Sequence, residues 1–260
     1  MNQYIWRVII LLELTISILS TNPAAAQTVA PNGQTDAADV KAFMKRSQDA
    51  YRNASHLGFR ISYGYANAGD PARIIDTLSG LMQMDKGRCR FALGGTETMV
   101  TEKYMIQAME DEKLIYLSSA RPAAMVNPAQ MMDTVFLHMG GVQTTLTRQN
   151  SLETLTLTFP PGRMYSRIRM EADIATGYLQ RIQYNLYTTG LVGREMIDRP
   201  GHSAPYQSEG QIEMIFSGYE KGRFGDSVFD EKNFFTRVAG GFEPAGRYKD
   251  YHIFLASSNL

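Results

Sequence analysis

The chain of 260 residues has one cysteine, Cys89, so no internal disulfide can hold it together and its stability must come from a packed core. Cys89 alternates with Phe91 in an extended segment, which reads as a buried small hydrophobe and not as an activated thiol. Net charge is also missing: 26 basic and 26 acidic residues cancel. That balance removes any general attraction to nucleic acid or to an anionic membrane. The sequence contains no G-x-S-x-G elbow, no H-E-x-x-H, no paired-cysteine zinc spacing and no P-loop or dinucleotide glycine pattern. Its four histidines, His56, His138, His202 and His252, fall on separate elements. No catalytic residue, metal site or cofactor is therefore assigned, and a non-enzymatic protein is expected.

Long apolar runs are absent too. The longest, Val8–Ser20, contains Glu13 and is shorter than the roughly 20 residues needed to span a bilayer. It follows the single positive charge of Met1–Arg7 and precedes small residues ending in Ala24-Ala25-Ala26, the order of a secretory signal cleaved near Ala26. No cysteine follows it to carry a lipid. Export to the periplasm is expected, with residues 1–26 as signal, 27–35 as a flexible leader containing Pro31-Asn32-Gly33, and 36–260 as one domain.

What the chain does have is alternation. In Leu57–Ala66 the residues Phe59, Ile61, Tyr63 and Tyr65 share one face of a strand, with Gly58, Arg60, Ser62 and Gly64 on the other. Strands are expected next at Ile74–Met84, Arg88–Leu93, Thr96–Thr101, Tyr104–Met109 and Leu114–Ser119, separated by short polar or glycine-bearing turns that make sequential hairpins the natural connection. A second series is expected at Val142–Arg148, Leu152–Phe159, Met164–Ala172, Tyr178–Thr188 and Gln211–Tyr219. Arg163, Arg167, Arg169 and Glu171 give this second region one charged, wet side. Asp226–Phe235 reads as a turn with a short helical piece, and Arg247–Leu255 as a last strand or docked tail.

Two helices are expected. Asp36–Ala54 places Val40, Phe43, Met44, Ser47, Ala50, Tyr51 and Ala54 on one stripe, capped by Thr35 or Asp36. Ala129–Met139 follows Asn127-Pro128 and ends at Gly140-Gly141, and it carries Met131, Met132, Val135, Phe136 and Met139. Methionine repacks readily, so this segment reads either as ordinary core or as a movable plug. Thr189–Gly210 lacks a period and reads as an exposed loop.

This order, an exported chain with an amphipathic helix, the strand Ala54-Ser55-His56-Leu57-Gly58-Phe59-Arg60-Ile61-Ser62-Tyr63, then Gly80-Leu81-Met82-Gln83-Met84 before the basic turn Lys86-Gly87-Arg88, resembles the periplasmic lipoprotein carriers of the LolA/LolB-like family. The Met-rich insertion and the late segment Phe229-Asp230-Glu231-Lys232-Asn233-Phe234-Phe235 agree with it. The resemblance implies a mainly β fold with α: a single antiparallel half-closed β-barrel, covered by the N-terminal helix and the inserted lid helix. It further implies that the apolar face receives acyl chains. Mapped here, the ligand-binding candidates are Phe59, Ile61, Tyr63, Met82, Met84, Phe91, Met131, Val135 and Phe136, and Arg88 lies near a functional arginine of the family. The partner would be a lipid or an acylated protein, with a transient envelope protein partner as well. The alternative is a structural or adaptor component of an envelope assembly, using the same fold with a filled interior.

Overall fold

A computed structural model describes residues 35–120, 140–191, 197, 206–257 and 260. The expected signal segment, the segment Ala129–Met139 and most of the 189–210 loop lie outside these residues.

The helix forms where its stripe predicts, as α1 (Ala37–Arg52), with Val40, Phe43, Met44, Ser47 and Tyr51 buried at three- and four-residue spacing. The Asp36 carboxylate accepts a hydrogen bond from the Ala38 backbone N–H at 2.9 Å and caps the start. On the outer face Lys45 and Arg52 both pair with Asp49.

The strands are β1 (His56–Asn67), β2 (Asp70–Asp85), β3 (Arg88–Leu93), β4 (Thr96–Val100), β5 (Tyr104–Met109), β6 (Leu114–Ser119), β7 (Gln143–Gln149), β8 (Leu152–Thr158), β9 (Tyr165–Asp173), β10 (Leu179–Tyr187), β11 (Glu209–Glu220), β12 (Phe235–Val238), β13 (Gly241–Pro244) and β14 (His252–Leu255). The hairpin turns carry backbone that only certain residues tolerate. Between β3 and β4, Gly94 and Gly95 have φ of 52° and 82°, a pair that a two-residue hairpin loop requires.

The chain falls into two compact units: Met1–Arg52, Tyr63–Thr77 and Asn127–Ile215 form the first, and Asn53–Ser62, Leu78–Val126 and Phe216–Leu260 the second. The long strands β1, β2 and β11 contribute residues to both. Within the first, the hydrogen-bonded order runs β2-β1-β11-β10-β9-β8-β7. Within the second it runs β14-β6-β5-β4-β3-β2-β1-β11. Among the described residues β7 and β14 have no strand beyond them, so the ladder is open and not a closed barrel.

In the first unit α1 packs on the apolar side of β8–β10. The Tyr51 hydroxyl accepts from the Leu179 backbone N–H at 3.2 Å, and its ring lies 5.3 Å from Tyr178. Arg46 on the helix pairs with Glu153, which Arg148 also holds at 2.7 Å. This buried carboxylate thus has a positive charge on two sides, as burial of a charge demands.

In the second unit Met99, Tyr104, Ile106, Ala108, Ile115 and Leu117 of β4–β6 are buried against Phe229, Phe234, Phe235, Tyr248 and Tyr251 of the C-terminal segment. Phe234 stacks on Tyr248 with ring centroids 5.1 Å apart. Two departures from the sequence expectation occur here. The tail yields a strand only at His252–Leu255, and this β14 runs parallel to β6, not antiparallel. The β12–β13 hairpin was not foreseen because its strands are four residues each, too short for a period to show. Expected for Asp226–Phe235, the helical piece is present as two 3-10 turns, Asp226–Phe229 and Glu231–Asn233. The second strand starts at Asp70 and not at Ile74, because Asp70–Arg73 is exposed and carries no apolar alternation.

Candidate functional site

Antiparallel partners in register share a face, so the ladder of the second unit can be read side by side. Met82 pairs with Phe91 and Met84 with Cys89; these pair in turn with Thr98 and Val100. Thr98 and Val100 pair with Gln107 and Met105, and Thr96 with Met109. Gln107, Met105 and Met109 oppose Tyr116, Ser118 and Leu114. From Gly80 of β2 through β6 one face therefore presents methionines, aromatics, threonines and single amide and hydroxyl groups, with no Asp, Glu, Lys, Arg or His among them.

Exposure grades across this face. Met82, Met84 and Cys89 are buried, and the Cys89 thiol lies 3.4 Å from the Met82 sulfur. Phe91, Met105, Met109, Leu114 and Tyr116 are half-buried. At the far edge Phe254 of β14 stands 53% exposed with its ring 5.2 Å from that of Tyr116. Half-exposed apolar side chains on a strand whose alternate residues are fully buried make a surface that can take up apolar ligand without disturbing the core.

The opposite face carries a set of paired charges. Glu97, 4% exposed, accepts from Arg90 Nε at 2.6 Å and from the Tyr248 hydroxyl at 2.8 Å, and it also pairs with Arg247. Arg88 pairs with Asp85, reaches Asp226 at 3.2 Å and lies 4.7 Å from the Phe229 ring centre. His56 Nδ1 is 2.5 Å from the other Asp85 oxygen. Burial pushes the Asp85 carboxyl up, but the hydrogen bond and charge of Arg88, with His56, outweigh it and hold the group below the usual carboxylate range. The Arg88 guanidinium thus ties the β2–β3 turn to the C-terminal segment. A groove of about 620 Å3 opens on this charged face, lined by Arg60, Leu81, Ala92, Glu97 and Arg247 among others.

Of the nine residues expected to bind ligand, Met131, Val135 and Phe136 lie outside the described residues. Phe59, Ile61, Met82 and Met84 are in the second unit, each 3% exposed or less, and Phe59 packs on Phe216 and Tyr219. Tyr63 belongs to the first unit and is 2% exposed. Phe91 alone of the six described is half-buried, and none of the six lines the 620 Å3 groove. Met105, Met109, Leu114 and Tyr116 were not picked out from sequence. In β5 both alternating sets are apolar, Tyr104, Ile106 and Ala108 against Met105 and Met109, so periodicity alone could not choose between them. Among the described residues, no group of three His, Cys, Asp or Glu side chains is placed to hold a metal ion.

No protein-family profile and no curated protein sequence matches the chain. Solved structures similar to it include an uncharacterised conserved protein from Thermus thermophilus, at 8% identity and a TM-score of 0.43, covering 84% of this chain and 99% of that one. A LolA superfamily protein from Nitrosomonas europaea is similar at 10% identity and a TM-score of 0.31, covering 74% of this chain and 97% of that one. The lipoprotein LppX of Mycobacterium tuberculosis is similar at 11% identity and a TM-score of 0.35, covering 73% and 99%.

Proposed function

We propose that this chain is a non-enzymatic, exported envelope protein that binds a lipid, a lipoprotein acyl chain or a similar apolar ligand against the uncharged face of β2–β6. The observation that carries the reading is the register itself, which sets Phe91, Met105, Met109, Leu114 and Tyr116 half-buried on one face free of formal charge. An alkyl chain laid across it meets no desolvated charge and gains about 25 cal/mol for each Å2 of apolar surface removed from water. Unbranched Met105 and Met109 adapt to chains of different shape. Titration with a fluorescent fatty-acid analogue tests this: saturable uptake that Met105→Asp abolishes in a folded protein supports it, and uptake unchanged in that variant contradicts it.

A second reading, an adaptor within an envelope assembly, draws on β14. Among the described residues this strand ends the ladder of its unit, and it exposes Phe254 and Leu255, 53% and 49%. Such an edge is a template for strand addition by a partner protein.

A further inference from the structure

The polar side chains of the β2–β6 face fall into a pattern that burial of an alkyl chain does not by itself use. Cross-strand partners align Met82, Phe91, Thr98, Gln107, Tyr116 and Phe254 in one row from β2 to β14. That row is apolar at both ends and carries a hydroxyl, an amide and a phenol at its middle. Gln107 stands between them: Met105 and Met109 flank it along the same side of β5, and Thr98 and Tyr116 across the ladder. The row to one side holds Met109 and Leu114, and the row to the other Val100 and Met105. None of the three rows contains Asp, Glu, Lys or Arg, and the exposed His252 closes one of them beside Leu114.

Thr98, Gln107 and Tyr116 are half-buried, and among the described residues none of their side chains has a hydrogen-bond partner. An alkyl chain laid over Met105 and Met109 strips water from the Gln107 amide between them. A donor that loses its water and gains no acceptor opposes binding, so a ligand that fits must bring an acceptor to that point. A carboxylate is the wrong one, because it would be desolvated on a row with no Arg or Lys to pair it. An ester or amide carbonyl accepts from the Gln107 side-chain N–H and brings no charge.

Resting on the acyl-chain reading, we propose that Gln107 is the specificity-determining residue of this face, and that it selects a ligand whose alkyl chain is joined through an uncharged carbonyl, an ester or an amide. Gln107 donates to that carbonyl, while the Thr98 and Tyr116 hydroxyls beside it meet the ligand's other oxygens. A few placed polar groups in an apolar lining set the ligand's orientation. An ether of the same length meets the same methionines but leaves the amide without an acceptor, and is bound more weakly for that reason.

Calorimetric titration of the full chain with monodecanoyl glycerol and with decyl glyceryl ether, each below its micelle concentration, tests the assignment, since the two probes differ only in the carbonyl oxygen. The expected result is ester bound about tenfold more tightly than ether. That preference should disappear in Gln107→Met, and in Gln107→Glu, which keeps the shape and loses the amide donor, with ether still bound by the Met variant. Equal affinity for ester and ether in the parent chain overturns the assignment and leaves the acyl-chain reading standing. So does a preference that survives in either variant. Binding of neither probe overturns both.

Discussion

Gly210 lies so close to Tyr65 that a Cβ built on it would sit 2.4 Å from the phenolic oxygen and 2.7 Å from two ring carbons. The ring cannot withdraw: Tyr65 is fully buried, its hydroxyl shares a 2.9 Å hydrogen bond with Thr188, and Tyr206 meets it edge-on at 5.5 Å. Gly210→Ala should therefore cost about 1–3 kcal/mol, as overpacking does, read as a lower urea midpoint with an unchanged slope. Asp85 gives a pH-dependent prediction. Its folded pKa lies below the unfolded value of about 3.9, so its contribution is complete above that value and is lost as pH falls through the folded one. Asp85→Asn should lower the urea midpoint at pH 7, and the gap between variant and parent should close on acidification below about pH 4. A gap that stays constant with pH would mean the carboxylate contributes by packing alone.

The strand β5 separates structure from function within six residues. Ile106 is fully buried between the strand and the C-terminal aromatics, and Ile106→Ala should cost about 2–5 kcal/mol. Met105, next to it, faces the other way and is half-buried, so Met105→Asp should leave urea stability within about 1 kcal/mol while removing the fatty-acid signal. Which residues do which job was only partly legible in the sequence. β1 declared itself, because Phe59, Ile61, Tyr63 and Tyr65 alternate with Gly58, Arg60, Ser62 and Gly64. Yet that clean signal marks core, and a charge at Phe59 would test folding and not binding. β5 and β6 are apolar on both sides, and their buried side is decided by Phe229, Phe234, Phe235, Tyr248 and Tyr251, more than a hundred residues further on. The parallel docking of β14 depends on the same long-range contact.

For the molecule as a whole, the element order from α1 through β11 followed from periods and turns, while the division into two units did not. Among the described residues the chain crosses between them at Arg52, Ser62, Thr77 and within β11, inside or beside strands whose composition does not change, so composition marks no linker at these points. Thr98, Gln107 and Tyr116 lie on three strands, and only the register brings them into one row. The central claim is that the uncharged face of β2–β6 holds an apolar chain, and mass spectrometry of organic extracts from the protein purified without detergent from its own envelope tests it most directly. The account predicts one lipid class at near-equimolar amount, reduced in Met105→Asp protein of unchanged stability. Clean extracts from parent and variant alike, together with no saturable uptake of the fatty-acid probe, would contradict it.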